Sequence, residues 1–310
     1  MNFGKVKERW GKKFVDKRVW PVYNRQLVKR GEYWLDLEWV ERWDAELAVM
    51  NAGKAGRPFE FPNSLIQLQA VWHAHQLPFR MIQGITAKLF EFGKLPAVDH
   101  YSTANRRTNR LDLKLLPPQG GELMLFSDGS GLQAKAGGEY LREKYGKKNR
   151  RWVQVIILGD PKTKEPVSFE VNIVQGSEPE SSKRQLEELA EAGVDVAGFG
   201  GDGAMDDFDL WSLLEKMKWK PAIKPQVNAR EDSENELRNT EVKERNKLGY
   251  KRWARKHGYG RRWPATEGIF SAFKRMFGEG LAAKTIPGML KEAGLKVWAY
   301  QRLKRYGESI

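Results

Sequence analysis

The stretch Leu123-Met124-Leu125-Phe126-Ser127-Asp128-Gly129-Ser130 marks a change of period in the chain. Upstream, apolar residues recur at helical spacing. From here they recur at alternate positions or in short unbroken runs, as strands do. Residues 123–126 read as a short buried strand, and 127–130 as the turn that ends it. Residues 152–158 form a second apolar run, with a turn at Gly159, Asp160 and Pro161. Over 166–174, Val167, Phe169, Val171 and Ile173 alternate as a third strand. Ser181 or Ser182 suits the N-cap of a helix running to Ala192. Residues 194–199 read as a fourth strand, ending at Gly200-Gly201-Asp202-Gly203. A helix over 206–218 and a fifth strand over 221–226 follow. Three adjacent strands, a crossover helix, a strand, a helix and a strand give the order of an RNase H-like fold. That is an α/β class built on a mixed five-stranded sheet with flanking helices, and the later strand–helix alternation requires parallel pairing.

The chain before this point reads as helical. In residues 1–60, Tyr33, Trp34, Leu35, Leu37, Trp39, Val40, Trp43, Leu47 and Met50 make an apolar stripe, and 53–58 reads as a linker. In 61–118, Asn63 or Ser64 caps a helix to His75. Pro78 opens a second helix whose expected buried face is Met81, Ile82, Ile85, Leu89 and Phe92, ended by Gly93. Ser102 caps a third over 103–113, carrying Asn105, Arg106, Arg107, Asn109 and Arg110. Two helices followed by a short one rich in Arg and Asn resemble a helix-turn-helix, and those side chains pair bidentately with guanine and adenine. A bundle with a solvated basic face would read the same way. Residues 119–310 then form the α/β unit, with a charge-dense insertion near 230–258 and a basic amphipathic helix over 289–306.

Charge points to the same class of partner. The 310 residues carry a formal net charge of +14. The excess is basic over 1–120, acidic over 121–220 and most strongly basic over 221–310. An acidic middle between basic flanks fits a nucleic-acid binder whose middle holds something acidic, although a solvated basic surface would give the same excess. With 12 Trp, 14 Phe and 9 Tyr, general disorder is excluded. The absence of Cys excludes disulfides and thiolate metal sites and fits a reducing cytoplasm. Met1 to Trp10 is basic but no apolar run follows it, so a signal peptide is not expected, and no apolar stretch is long enough to span a bilayer.

Three acids stand at the ends of expected elements. Asp128 follows the first strand, Asp202 follows the fourth, and Glu267 lies on a late helix over 264–277. Pro264 suits the first position of that helix and Gly278 its C-cap; Ile269, Phe270, Phe273 and Phe277 face a core, while Glu267, Ser271 and Lys274 line another face. Taken singly, Asp128-Gly129 makes a good turn, Asp202 a good cap, and Glu267 a good complement to a helix dipole. Together they are different. In this strand order the first and fourth strands are neighbours, ligands gather at strand C-terminal ends, and clustered carboxylates suit Mg²⁺ or Mn²⁺.

These residues resemble the DDE transposases of prokaryotic insertion sequences, in the four-and-five superfamily and its five-type. The resemblance covers most of the chain from about residue 60. Glu267 and Lys274 match the family's Glu-x6-Lys. Asp202-Gly203-Ala204-Met205-Asp206 is similar to its Asp-x-x-Tyr/Phe-Asp, with Met in the aromatic place. Ser127 to Leu132, Leu77-Pro78-Phe79-Arg80 with Gly84, and Arg106-Arg107 also resemble family segments. One departure is plain: the family's Tyr-x2-Arg-x3-Glu appears as Tyr259-x2-Arg262, with four residues before Glu267. The resemblance implies metal-dependent cleavage of DNA ends and strand transfer by in-line phosphoryl transfer. Asp128, Asp202 and Glu267 would hold two divalent ions, Mg²⁺ or Mn²⁺. Lys274, Arg262 and Tyr259 would contact DNA near the cut, and Asn105, Arg106, Arg107 and Arg110 would contact it through the N-terminal region. The implied partners are double-stranded terminal inverted repeats and target DNA, bound by a homodimer in the cytoplasm. His257 is a candidate phosphate contact, and Trp253 and Trp263 are candidates for stacking on an unpaired base. The alternatives are an RNase H-like nuclease or resolvase without strand transfer, and a non-catalytic DNA-binding derivative.

Overall fold

A computed structural model describes residues 18–134, 152–173, 177–226 and 228–309, with a two-residue ladder pairing β1 (Glu8–Arg9) and β2 (Lys12–Lys13). The basic run at 142–151, most of 1–10, and Val174 lie outside the described residues.

The sheet holds β3 (Leu123–Ala134), β4 (Trp152–Asp160), β5 (Glu165–Asn172), β6 (Val196–Gly201), β7 (Lys220–Ile223) and β8 (Gly280–Leu281). Its order is β5-β4-β3-β6-β7, with β8 pairing β3. β3, β4 and β5 form an antiparallel meander, and β3–β6 and β6–β7 are parallel. The expected five strands are all present, in the expected order and sense, with a short sixth added at the far end of β3.

Several element boundaries differ from those that local turn chemistry predicts, because tertiary pairing overrides it. Ser127 to Ser130 is not a turn: β3 runs on for 12 residues, because Leu132 and Ala134 also bury and pair with β4. The crossover helix α6 (Glu178–Glu191) starts one turn early, with Ser177 accepting from Glu180 N–H as its cap. Ser181 and Ser182 are buried instead, and the Ser182 hydroxyl meets Ser127 Oγ at 2.6 Å, pinning α6 to β3. The next helix, α7 (Phe208–Met217), is capped by Asp207.

Helices cover both faces. On one, α6 and α7 pack Leu186, Leu210, Trp211 and Leu214 against Leu125, Leu158 and Phe199. On the other lie α11 (Glu267–Phe277) and α12 (Ile286–Glu308), with Phe273, Phe277, Leu295 and Trp298 over Val153, Val155 and Ile157. The expectation of an amphipathic α12 is corrected: 14 of its residues are buried. Its polar groups are spent internally. Lys296 donates to Gly280 O at 2.7 Å, Glu292 accepts from the Ala282 and Ala283 N–H groups, and Gln301 bridges Leu116 and Pro166. Basic residues on this helix serve packing, since a buried polar group must find a partner.

The N-terminal part holds α1 (Trp20–Glu32), α2 (Trp43–Asn51), α3 (Asn63–Ala74), α4 (Phe79–Glu91) and α5 (Tyr101–Arg110). Residues 33–42 are 3-10 turns, so the aromatic stripe is not one helix, although Trp34, Trp39 and Trp43 do pack inward while Leu35 is exposed. On α4 only Ile82 and Thr86 bury fully; Met81 and Phe92 are exposed, against expectation. α5 is capped by His100 rather than Ser102, and stops at Arg110 because Leu111 turns extended to run beside α12.

The charge-dense segment is ordered as α8 (Glu236–Leu248) and α9 (Tyr250–Lys256), followed by a 3-10 turn at Tyr259–Arg261. The helix expected over 264–277 is split. A short α10 (Arg262–Ala265) ends at Thr266, whose φ of −128° breaks the run before α11 begins at Glu267. Gly278, at φ 70°, ends α11 as expected.

Gly159 sets the seat of α10 on the sheet. A Cβ there would overlap the Ala265 carbonyl and press on Ile269. Gly159→Ala should therefore cost at least about 1–3 kcal/mol, as overpacking does. Denaturant midpoints of the two proteins would measure it, and an unchanged midpoint would refute the close seating.

Candidate metal and nucleic-acid site

β3 and β6 run parallel side by side, with Phe126 opposite Gly200. Asp128 therefore lies two residues beyond this pairing on β3, and Asp202 immediately beyond β6. Asp202 is also the cap of a 3-10 turn, accepting from Ala204 N–H at 2.8 Å. α10 crosses this edge and α11 opens there, which brings Glu267 to the same place.

Arg262 joins these elements. Its Nη1 lies 3.3 Å from Asp128 Oδ2 and its Nη2 donates to Glu267 Oε1 at 2.7 Å. The β3 acid and the α11 acid thus share one guanidinium. Burial pushes the Asp128 carboxyl up; Arg262 and the Gly129 N–H oppose this, while Asp202 and Glu267 add to it. Burial disfavours the Arg262 charge, but Tyr259, Asp128, Glu267 and Asp202 around it leave its pKa raised. Three carboxylates from three elements within mutual electrostatic range are a hard-oxygen donor set, and a cation already sits between two of them. The residues fit a divalent ion of the Mg²⁺ or Mn²⁺ type. They are not drawn to ligation distance of one another. Among the described residues, the trio whose ligand atoms all lie within 4.8 Å is Glu241, Glu244 and His257 on α8 and after α9.

That second trio is a packing device. Trp253, fully buried, donates to Glu241 at 3.0 Å and stacks on His257; Lys256 pairs with Glu244. His257 contacts Pro221 O and Glu244. So His257 and Trp253 are turned inward, and neither is placed for a phosphate or a base as the sequence reading entertained. Trp263 is 56% exposed beside Arg262 and remains available for stacking.

Other expected contacts divide in the same way. Tyr259 is buried beneath Arg262, with the guanidinium carbon 5.9 Å from its ring centroid, and burial pushes its hydroxyl up to about 12. From beneath, the Tyr259 ring supports the Arg262 guanidinium. Lys274 is half-buried, 3.4 Å from Glu279 Oε1, two turns along the helix from Glu267. On α5, Asn105, Arg106 and Arg110 are exposed. Arg107 donates to Phe61 O and to Asn63 Oδ1 at 2.6 Å, tying α5 to the start of α3.

Two residues escaped the sequence reading. Glu178, the first residue of α6, accepts from Gln154 Nε2 at 3.0 Å. Burial, Asp128 and Asp202 raise its pKa, and any side chain on Gly129 would overlap its carboxylate. It is a fourth acid beside the site, and only the sheet geometry reveals it. Arg238 on α8 grips Asp206 with both arms of its fork, at 2.8 and 3.1 Å; Trp211 Nε1 and Gln226 N–H complete the shell. The second Asp of Asp202-x3-Asp206 is thereby a brace that ties the loop after β6 to α8.

With the geometry in view, two family models match, both described as transposase DDE domain, one over residues 28–136 and the other over 119–300. The second spans more than half of the chain, and the chain belongs to the DDE transposase family, of insertion-sequence type. Its fold is the RNase H-like fold of that family, and by family it binds DNA and depends on divalent metal. No curated protein matches the chain. No described helix is long and apolar enough to cross a membrane.

Burial alone would raise the Asp206 pKa, but the Arg238 fork and its two N–H partners hold it below the ordinary value. A depressed folded pKa adds stability that is present above the unfolded value near 3.9 and is lost as pH falls through the lower, folded value. Arg238→Ala strands this carboxylate, whose side chain is 1% exposed. The expected cost is about 3–5 kcal/mol at neutral pH, shrinking as Asp206 protonates. Chemical denaturation at pH 7 and at pH 4 would measure both terms.

Proposed function

We propose that the chain cleaves the ends of an insertion sequence and joins them to target DNA, with Asp128, Asp202 and Glu267 as its metal-holding acids. The bridge from Asp128 through Arg262 to Glu267 carries the reading, because it brings strand and helix carboxylates to one cation position at the sheet edge where Asp202 also lies. When bound, divalent ions would supply an activated oxygen nucleophile and stabilise the leaving oxygen of an in-line displacement at phosphorus. The chain's own residues do the positioning. Asp128 and Glu267 orient through the rigid elements that carry them, and Asp202 through its cap hydrogen bond. Arg262 offers a planar fork to a phosphate and Lys274 a point charge, so the scissile strand is clamped on the α10–α11 side. Trp263 presents an exposed indole to a base beside that clamp. On α5, Asn105, Arg106 and Arg110 form the exposed edge that reads or grips duplex DNA at a distance from the chemistry. The partners are terminal repeats and target DNA, a homodimer assembles on them, and the work is done in the cytoplasm.

A labelled duplex carrying an element end, incubated with Mg²⁺, tests this. Wild type should nick and then join the exposed 3′ end to target DNA. Asp128→Asn should lower nicking by about 10³-fold or more, comparable to removal of one preorganised electrostatic contact in other active sites. Metal-independent nicking, or none at all, overturns the enzyme reading; nicking without joining favours a nuclease or resolvase. Because burial holds the Asp128 carboxyl above the ordinary carboxylate value near 3.9, its protonated form persists to higher pH than in a free Asp. Apparent metal affinity should therefore fall as pH drops toward that raised value, and Asp128→Asn should weaken Mn²⁺ binding and move its acid limb to lower pH, which a Mn²⁺ titration across pH would read.

A further inference from the structure

We propose that Arg262 is an exchange cation: it holds the Asp128 and Glu267 carboxylates when DNA is absent, and yields them to a divalent ion when a DNA phosphate draws its guanidinium away. The inference rests on the metal-site reading above and adds a coupling to it.

The guanidinium bridges two carboxylates from different elements instead of gripping one bidentately. A divalent ion held by Asp128 and Glu267 would draw on the same two carboxylates, so the guanidinium and the ion would compete for them. Arg262 is also built to leave. It sits on the four-residue α10, separated from α11 by the break at Thr266, and its side chain keeps 21% exposure. The Tyr259 ring beneath gives the guanidinium a surface to slide over. Arg261 and Trp263 on either side are exposed, so the outward direction is open to a phosphate backbone.

Two ligands that both favour the outward arginine must favour each other. Phosphate binds the outward guanidinium, metal binds the vacated acids, and by linkage each tightens the other by the same factor. The site would then be poorly loaded without DNA, so metal-dependent cleavage would wait until a strand is in place.

Mn²⁺ binding, read by electron paramagnetic resonance of free Mn²⁺ with and without a short DNA duplex, tests this on the full chain. Wild type should bind Mn²⁺ more tightly with DNA, within the roughly 5–150-fold range of ordinary coupling. Arg262→Ala should bind Mn²⁺ more tightly than wild type in the absence of DNA, and DNA should add little further. Arg262→Lys, which keeps the charge but cannot span both acids, should fall between. Should Arg262→Ala prove unfolded by circular dichroism, Arg262→Gln serves in its place. Equal or weaker Mn²⁺ binding by a folded Arg262 variant, or a DNA effect that survives the substitution, overturns the exchange. Asp128→Asn separates the two levels. If it leaves Mn²⁺ binding unchanged, the metal-site reading itself fails; if it weakens binding while Arg262→Ala does not tighten it, only the exchange fails.

Discussion

The parallel pairing of β3 with β6 is the constraint from which the rest follows. It aligns Leu125 with Phe199 and Phe126 with Gly200, so the two strands point their C-terminal ends the same way. A parallel pair needs a crossover, and α6 and its partner α7 supply the apolar layer that buries one face. The strand ends are then left open on one edge, and Asp128 and Asp202 come to lie next to one another although they are far apart in the chain. Had β6 paired antiparallel, Asp202 would stand at the opposite edge, and no helix could join the two acids.

The third acid arrives by packing. α10 presses its Ala265 carbonyl over Gly159, and α11 seals itself to the sheet through Ile269, Phe273 and Phe277. The break at Thr266 turns the chain so that Arg262 and Glu267 face each other across it. This bears on the register of the family resemblance. One extra residue stands between Arg262 and Glu267, yet the break lets the fork reach the carboxylate at 2.7 Å.

Charge is sorted by the same architecture. Much of the basic excess in the last third is spent inside the molecule: Lys296 on backbone carbonyls, Arg305 on Glu165, Arg238 on Asp206. Others stay outward, among them Arg261 near the carboxylate edge, Arg106 and Arg110 on α5, and Lys243 and Lys247 on α8. A count of Lys and Arg overstates the DNA-facing surface, because long basic side chains are equally good at satisfying buried acceptors.

The order and sense of the strands were legible in the sequence, since period-two runs and a crossover helix follow from local side-chain alternation. Asp128, Asp202 and Glu267 stood out there too, as acids beside glycines and at element ends in an otherwise basic chain. Tertiary structure decided what those signals meant. It carried β3 through an Asp-Gly that favours a turn, because Leu132 and Ala134 gain burial and a β4 partner by going on. It buried Tyr259 and Trp253, turned His257 toward Glu244 and exposed Trp263, a choice that aromatic character alone does not make. It gave Arg107 and Asp206 partners that brace the fold, and set Glu178 beside Asp128. Each of these depends on which residues meet across the sheet. Side-chain type fixes what a residue can do, and only the packing of distant segments fixes what it touches.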